Sequence, residues 1–445
     1  MNPESLNILY VSHTPASSPR LGAQARLHGL ITQLARRHDL TAVTLVDGEF
    51  DADEGRRAIE AYCREAVMAP SPYGREGLTK RLLQRRSLAS TRSFHRLLST
   101  PPAVQKSLDR LLHARRFDVV NLEFSFLGHC DLRQAPPGGK PPALVIDSHN
   151  IEYDLARQNA RHGSLARRLY GEANWRKLRR EELGTYRDAD GVYLCSGEDE
   201  RRLLSEIPKV RTAVIPNAAD VEYYQPRPTD PPPDGRTVVF FGLLSSVPNV
   251  DGVNRFVKDI WSRIAEAHPE APCKIIGGRP PPSLLTLAGP RVELTGFVSD
   301  LRPHLAAAAA VVVPMRLGGG TRLKIIEAMA TGKAIVSTTL GAKGIEAVPG
   351  RDILVEDEPA AVADVVRRLL AEPSLAARIG QSARQLAVER YPCWLMKAAL
   401  IGAGQITHHT SLALKALPGG PRCRIRDTSE GRQVRRQRRC CIARE

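Results

Sequence analysis

Residues 311–338 read VVVPMRLGGGTRLKIIEAMATGKAIVST, and the fold follows from this stretch. Val311 to Val313 form a short β-branched run, the triplet Gly318, Gly319, Gly320 follows, and from about Thr321 the apolar residues Leu323, Ile326 and Ala330 recur at helical spacing. A buried strand, a glycine turn and an amphipathic helix in that order make one unit of a parallel α/β sheet. Glycines let backbone approach a ligand closely, and the free N–H groups of a first helical turn favour a phosphate. Arg322 and Lys324 place two cations beside that point. Lys324 and Glu327 share a helix face, and Glu327 lies about 8 Å along the axis from a start near Thr321. That span suits a nucleoside diphosphate, with phosphates at the helix start and ribose hydroxyls at the carboxylate. The plainer alternative is a surface Lys–Glu pair, but nothing in local structure calls for three consecutive glycines.

The same grammar repeats outward from this segment. NILYVS, a helical stretch over 23–37, LTAVTLV, FDVVNLEF, ALVIDSH, GVYLCS and TAVIP precede a proline-rich break, QPRPTDPPPDG. TVVFFG, a helix over 250–267, CKIIGG, VELTGF, AAVVVPM, AIVST and DILVE follow it, with closing helices over 360–370 and 375–389. The expected architecture is α/β, two Rossmann-like domains facing each other across a cleft: 1–223, a linker at 224–236, 237–394, and a basic tail at 395–445 expected to be disordered. Ligands of open α/β sheets sit at the carboxyl ends of strands, so the site is expected in the cleft.

Composition agrees with this reading. The 445 residues exceed one ordinary core, and 42% hydrophobic with 25% charged residues is a globular balance. The net charge of +16 points to a polyanionic partner. Part of it lies between Arg422 and Arg439. Another part, Arg167, Arg168, Arg176, Lys177, Arg179 and Arg180, falls on one long helix, as a solvated face or as a surface for an anionic membrane or acceptor. The 8 cysteines show no CxxC spacing, and the N-terminus lacks a signal-peptide pattern. A cytoplasmic protein is expected, one whose charge suits the inner face of the plasma membrane.

At this point the chain resembles the retaining glycosyltransferases of the GT-B fold, family 4, also called group 1. The resemblance runs from about Asn7 to Trp394 and rests on PNAADVEYY, FFGLLSSVPNVDGVNRF, IIGGRP, LTGFVSDL, GGGTRLKIIEAMATGKAIVST and GAKGIE. It implies transfer of a sugar from a nucleoside-diphosphate sugar to a hydroxyl acceptor, with retention, the acceptor being a glycan or lipid-linked precursor. The family's paired glutamates with seven residues between them match here only in part: Glu327 fits the second, but Gly319 occupies the first. The amides of Gly319, Gly320 and Thr321 are therefore expected to take over donor contacts. Relatives carry a cation pair after the strand matching TVVFFG; LLSSVPNVDG supplies none, which shifts the diphosphate load to Arg322 and Lys324. Asn249 and Asp251 either contact the donor or cap the following helix.

In the first domain Gly22 is expected in a loop before a helix, facing the diphosphate, or else relieving a turn. Arg26 either reaches an anion from that face or lies in solvent. Asp147, His149, Asn150 and Glu152 gather at a strand's carboxyl end, where the resemblance puts His149 beside the reacting sugar; plain turn chemistry is the alternative. Glu123, at another strand end, either bonds the acceptor or has a structural role. No paired carboxylates suggest a divalent cation, so a metal-independent transferase without a cofactor is expected. Rivals are an epimerase of the same fold and a nucleic-acid-binding protein, the latter disfavoured by only 5% aromatic residues and a tail without interleaved aromatics.

Overall fold

The computed structural model describes residues 5–16, 22–46, 51–71, 77–100, 102–161 and 164–393. The tail expected at 395–445, the Arg422–Arg439 run and the loop before Gly22 lie outside the described residues.

Two parallel sheets form, one on each side of the proline-rich segment. The first runs β3-β2-β1-β4-β5-β6-β7 and contains β1 (Asn7–Ser12), β2 (Asp39–Val46), β3 (Glu65–Pro70), β4 (Val119–Glu123), β5 (Ala143–Ser148), β6 (Gly191–Leu194) and β7 (Thr212–Val214). The second runs β10-β9-β8-β11-β12-β13 and contains β8 (Val238–Phe241), β9 (Cys273–Ile276), β10 (Val292–Gly296), β11 (Ala310–Val313), β12 (Ile335–Ser337) and β13 (Leu354–Val355). Helices cover both sheets, so the central strands are buried on both faces and read as unbroken apolar runs: Val238–Phe241 and Ala310–Val313 are buried throughout.

The helices of the first domain are α1 (Gly22–Ala35), α2 (Ala52–Glu60), α3 (Gly77–Leu88), α4 (Phe94–Leu98), α5 (Pro102–Ala114), α6 (Glu152–Ala160), α7 (Leu165–Asp188) and α8 (Gly197–Glu206). Those of the second are α9 (Val247–Arg255), α10 (Ser262–Ala267), α11 (Pro282–Leu285), α12 (Arg302–Ala307), α13 (Leu323–Ala330), α14 (Thr339–Ala342), α15 (Pro359–Ala371) and α16 (Pro373–Arg390). A π-helical turn over Phe256–Trp261 joins α9 to α10, so the helix expected at 250–267 is one continuous helical run starting at Val247.

Strand order reverses between β1 and β4 in one sheet and between β8 and β11 in the other. Crevices at the carboxyl ends of such switch points are where doubly wound sheets bind ligands. These ends carry Glu123 and the loop to His149 on one side, and Gly242 and the Gly318–Gly320 loop on the other. Beyond α16 the chain returns to the segment that follows β7, where the Ala219 N–H donates to Tyr391 O at 2.9 Å and the Cys393 N–H donates to Ala219 O at 3.2 Å.

Candidate functional site

Helix α13 starts at Leu323, two residues later than the sequence suggests, with Arg322 at its cap position. Glu327 is therefore four residues into the helix, about 6 Å along it. The Arg322 guanidinium turns back onto the glycine loop: its Nη1 donates to the carbonyls of Gly319 and Gly320, while Nε and Nη2 are covered from solvent and have no partner. Burial pulls its pKa down to about 10, so it remains a cation at neutral pH. Lys324 Nζ donates to Asn249 Oδ1 at 2.8 Å and lies 4.3 Å from the centre of the Phe240 ring. Burial, reinforced by the Arg322 charge, pushes its ammonium down to about 7. Glu327 accepts from the Tyr224 hydroxyl at 3.1 Å, and burial pushes its carboxyl up to about 7. Lys324 and Glu327 share a face as expected, yet each rests on a neutral partner.

Asn249 is thus part of this group through Lys324, and it donates to Leu243 O at 2.9 Å. It does not cap its helix: Ser246 holds the cap position of α9, and Asp251 pairs with Arg316 at 2.7 Å. Gly242, just past β8, has a φ of +149°, and a Cβ there would stand 2.9 Å from Lys324 Nζ. The FFG sequence therefore makes room for the cation. A cavity of about 650 Å³ opens beside these residues, bounded by His28 and Thr32 of α1, Gly242, Gly277, Gly278, Phe297, Val298 and Glu327. Sequence reasoning quoted IIGG and LTGF without assigning them a role; the strand-end position of Gly277, Gly278 and Phe297 was the available signal.

The glycine triplet does have a structural need. Gly320 has a φ of +61°, and a Cβ on it would lie 2.5 Å from the carbonyl of His149; one on Gly319 would touch Asn150 at 3.4 Å. The Gly318 N–H donates to Gln158 Oε1 of α6 at 3.2 Å, and the carbonyls of Gly319 and Gly320 serve Arg322. The triplet brings the two domains together. Thr321 completes the junction, receiving the Asn217 amide on its carbonyl at 3.2 Å and on its hydroxyl at 2.7 Å.

On the first domain's side, Arg26 is fully enclosed, which corrects the expectation of a solvent position. Its guanidinium grips Asp147 through two bonds of 2.6 and 2.9 Å, and Nη1 donates to Ile215 O and to Asn217 Oδ1. His149 Nε2 lies 2.9 Å from Glu123 and 3.3 Å from Asp147. Burial and the Asp147 charge raise the Glu123 carboxyl. Against burial, Arg26 and His149 hold Asp147 well below the carboxylate range. Against burial again, hydrogen bonds to both carboxylates raise His149. Phe124 sits just after β4 with a φ of +61°, uncommon for a bulky residue, and its ring packs 4.0 Å from that of His149. Sequence offered no signal for this backbone.

Glu123, Asp147 and His149 present ligand-type atoms within 4.8 Å of one another. Asp147 already spends both oxygens on Arg26, so the trio suits a cation only if that guanidinium withdraws. Glu152 lies nearby and accepts from the Asn150 amide at 3.1 Å; burial pushes its carboxyl up to about 7. Gly22 is the first residue of α1 rather than part of the preceding loop.

Residues 21–223 match the family model described as Glycosyltransferase Family 4, and residues 235–372 match that of Glycosyl transferases group 1. No curated protein matches the chain. Among solved structures, sucrose-phosphate synthase from Thermosynechococcus elongatus is similar, with 17% identity, a TM-score of 0.66, and 90% of this chain and 98% of that one covered. Anabaena Alr3699/HepE in complex with UDP has 16% identity and a TM-score of 0.60 over 89% of this chain and 98% of its own. WaaG, a glycosyltransferase involved in lipopolysaccharide biosynthesis, has 14% identity and a TM-score of 0.61 over 90% and 100%. At these identities the likeness concerns the two-domain GT-B fold.

Proposed function

This chain belongs to the group 1, family 4 glycosyltransferases, and from that premise we propose that it moves a sugar from a uridine-diphosphate donor to a hydroxyl of a glycan or lipid-linked acceptor, with retention and without a metal. The observation that carries this reading is the pair of half-buried cations, Arg322 and Lys324, which form no ion pair among the described residues and stand next to Leu323 and Glu327, which line the cavity. A diphosphate supplies the missing negative charge, the Glu327 carboxylate accepts from ribose hydroxyls, and the cavity wall that includes Gly277, Gly278 and Phe297 takes the base. The HepE complexes with UDP and UDP-glucose favour uridine as the first base to test.

As the anomeric carbon leaves the diphosphate, negative charge grows on the departing oxygen. Preorganised cations stabilise it without reorganisation. The acceptor oxygen then bonds to the anomeric carbon on the face the phosphate leaves, and its proton passes to the departing phosphate oxygen. His149, held by Glu123 and Asp147, is the first-domain group we assign to the reacting sugar. Incubation with UDP-glucose, GDP-mannose and ADP-glucose in EDTA tests this: release of one nucleoside diphosphate, abolished in Glu327→Ala, is expected. No release, or release only with added divalent metal, contradicts it.

No helix among the described residues is long and apolar enough to cross a membrane. Contact with an anionic membrane face from the cytoplasmic side is supported by Leu82 and Leu88 on α3 and by Leu165 and Leu169 on α7, all more than half exposed. They stand among exposed Arg81, Arg85, Arg86, Arg167 and Arg168. Lys177 and Tyr170 of α7 bind Ser87 of α3 at 2.5 and 3.0 Å, which fixes the two helices as one surface. Basic residues at an anionic surface contribute about 1 kcal/mol each. Co-sedimentation with phosphatidylglycerol vesicles, falling with salt and with Leu165→Ser plus Leu169→Ser, is the expected result; equal binding to phosphatidylcholine contradicts it.

A further inference from the structure

A second cavity, of about 380 Å³, lies in the first domain between α4, the loop after β4 and the C-terminal half of α7. Its wall includes Arg96, Ser125 and Glu181. Ser125 is 7% exposed, and its Oγ has no hydrogen-bond partner. Arg96 Nε and Glu181 Oε2 are likewise covered and unpartnered, although the other Glu181 oxygen accepts from the Ser93 N–H at 2.9 Å. Three polar atoms left unmet around one cavity are costly unless something fills it.

Helix α7 supplies an independent observation. It contains two interior glycines, and glycine weakens a helix relative to alanine. Gly171 has a packing reason, since a Cβ there would lie 2.8 Å from that of Ala160. Gly184 has none: a Cβ on it would meet nothing within 4 Å, and the residue faces this cavity. Glycine at 184 keeps the space open.

We propose that this cavity holds one neutral, hydroxyl-rich ring, a glycosyl unit of the acceptor. Two guanidiniums, Arg96 and Arg180, and the carboxyl groups of Glu181, Glu182 and Asp188 line it without an ion pair among them, so an ion of either sign would satisfy one set and be repelled by the other. Sugar hydroxyls both donate and accept, and so meet Glu181, Arg96 and Ser125 together. The volume lies within the usual range of about 300–1,000 Å³ for ligand pockets. Phe126 lines the cavity and stacks 5.7 Å from Phe124, whose ring packs on His149. A unit bound here therefore lies on the acceptor side, two aromatic rings from the transfer site. The binding stands on the cavity itself; its assignment to the acceptor rests on the function proposed above.

Saturation-transfer NMR on the full chain tests it, with the methyl glycosides of glucose, galactose, mannose and N-acetylglucosamine, in the presence of saturating UDP. At least one glycoside is expected to receive saturation. Gly184→Leu should reduce that signal by about tenfold while its thermal midpoint equals or exceeds that of the parent, since leucine is the better helix former. Glu327→Ala should leave the signal unchanged. The proposal is overturned if no glycoside receives saturation, if Gly184→Leu has no effect, or if UDP or Glu327→Ala removes the signal, which would place the sugar in the donor cavity. Loss of UDP binding with the glycoside signal intact would instead count against the donor reading alone.

Discussion

Each domain gathers a group of charges near the carboxyl ends of its strands, buried in the first and half-buried in the second, and the two are completed differently. In the first domain Arg26, Asp147, His149 and Glu123 hold one another at 2.6 to 3.3 Å. In the second, Arg322, Lys324 and Glu327 rest on carbonyls, the Asn249 amide and the Tyr224 hydroxyl. The contrast shows in the pKa shifts: against burial, Asp147 is lowered and His149 raised, each toward its charged form, whereas burial pushes Lys324 and Glu327 toward neutrality, to about 7. The first cluster supplies its own counter-charges; the second, among the described residues, does not.

Removing a cation from each group should give the largest difference. Arg26→Met leaves Asp147 buried with only its 3.3 Å contact to His149, and urea unfolding should register a loss of about 3–5 kcal/mol. Lys324→Met removes a charge that burial already disfavours, so stability should hold or rise while UDP binding is lost. Equal destabilisation by both variants would erase the distinction.

The pH dependence sharpens it. Lys324 is lowered to about 7 in the folded chain, so its neutral form favours folding; that contribution is present above the unfolded value and lost as pH falls through 7. Glu327 is raised to about 7, so its contribution is present in acid and lost as pH rises through 7. A diphosphate requires the charged Lys324, and ribose hydroxyls are best accepted by the charged Glu327. UDP affinity should therefore peak near pH 7 and fall by up to about tenfold per unit above it. Calorimetry above pH 7, in buffers of different ionisation enthalpy, should show proton uptake on binding. A flat profile would mean that Lys324 does not meet the phosphates.

The smallest expected effect concerns the bridge between the groups. Asn217 accepts from Arg26 and donates to Thr321, beside Arg322. Thr321→Val removes one such bond, about 1 kcal/mol, and should lower kcat/KM by about fivefold with little change in global stability. An unchanged kcat/KM would uncouple the two sides.

Much of the fold was legible because central parallel strands are long apolar runs flanked by amphipathic helices. Edge strand β3, EAVMAP, was missed, its alanines, glutamate and proline giving little strand signal. In the second domain, Gly318 to Glu327 could be read locally, since strand, turn and helix are contiguous. Arg26 could not, because its partners Asp147, Ile215 and Asn217 come from distant segments. The triplet's close approach to His149 and Asn150 was hidden for the same reason: it is a property of two domains meeting.

The most direct test of the account is calorimetric titration of UDP into the protein, Arg322→Gln and Glu327→Ala without added metal. Micromolar binding to the parent, weakened about tenfold or more in each variant, is the predicted result. No binding, or equal binding by all three proteins, would contradict a donor site built on Gly318 to Ala330.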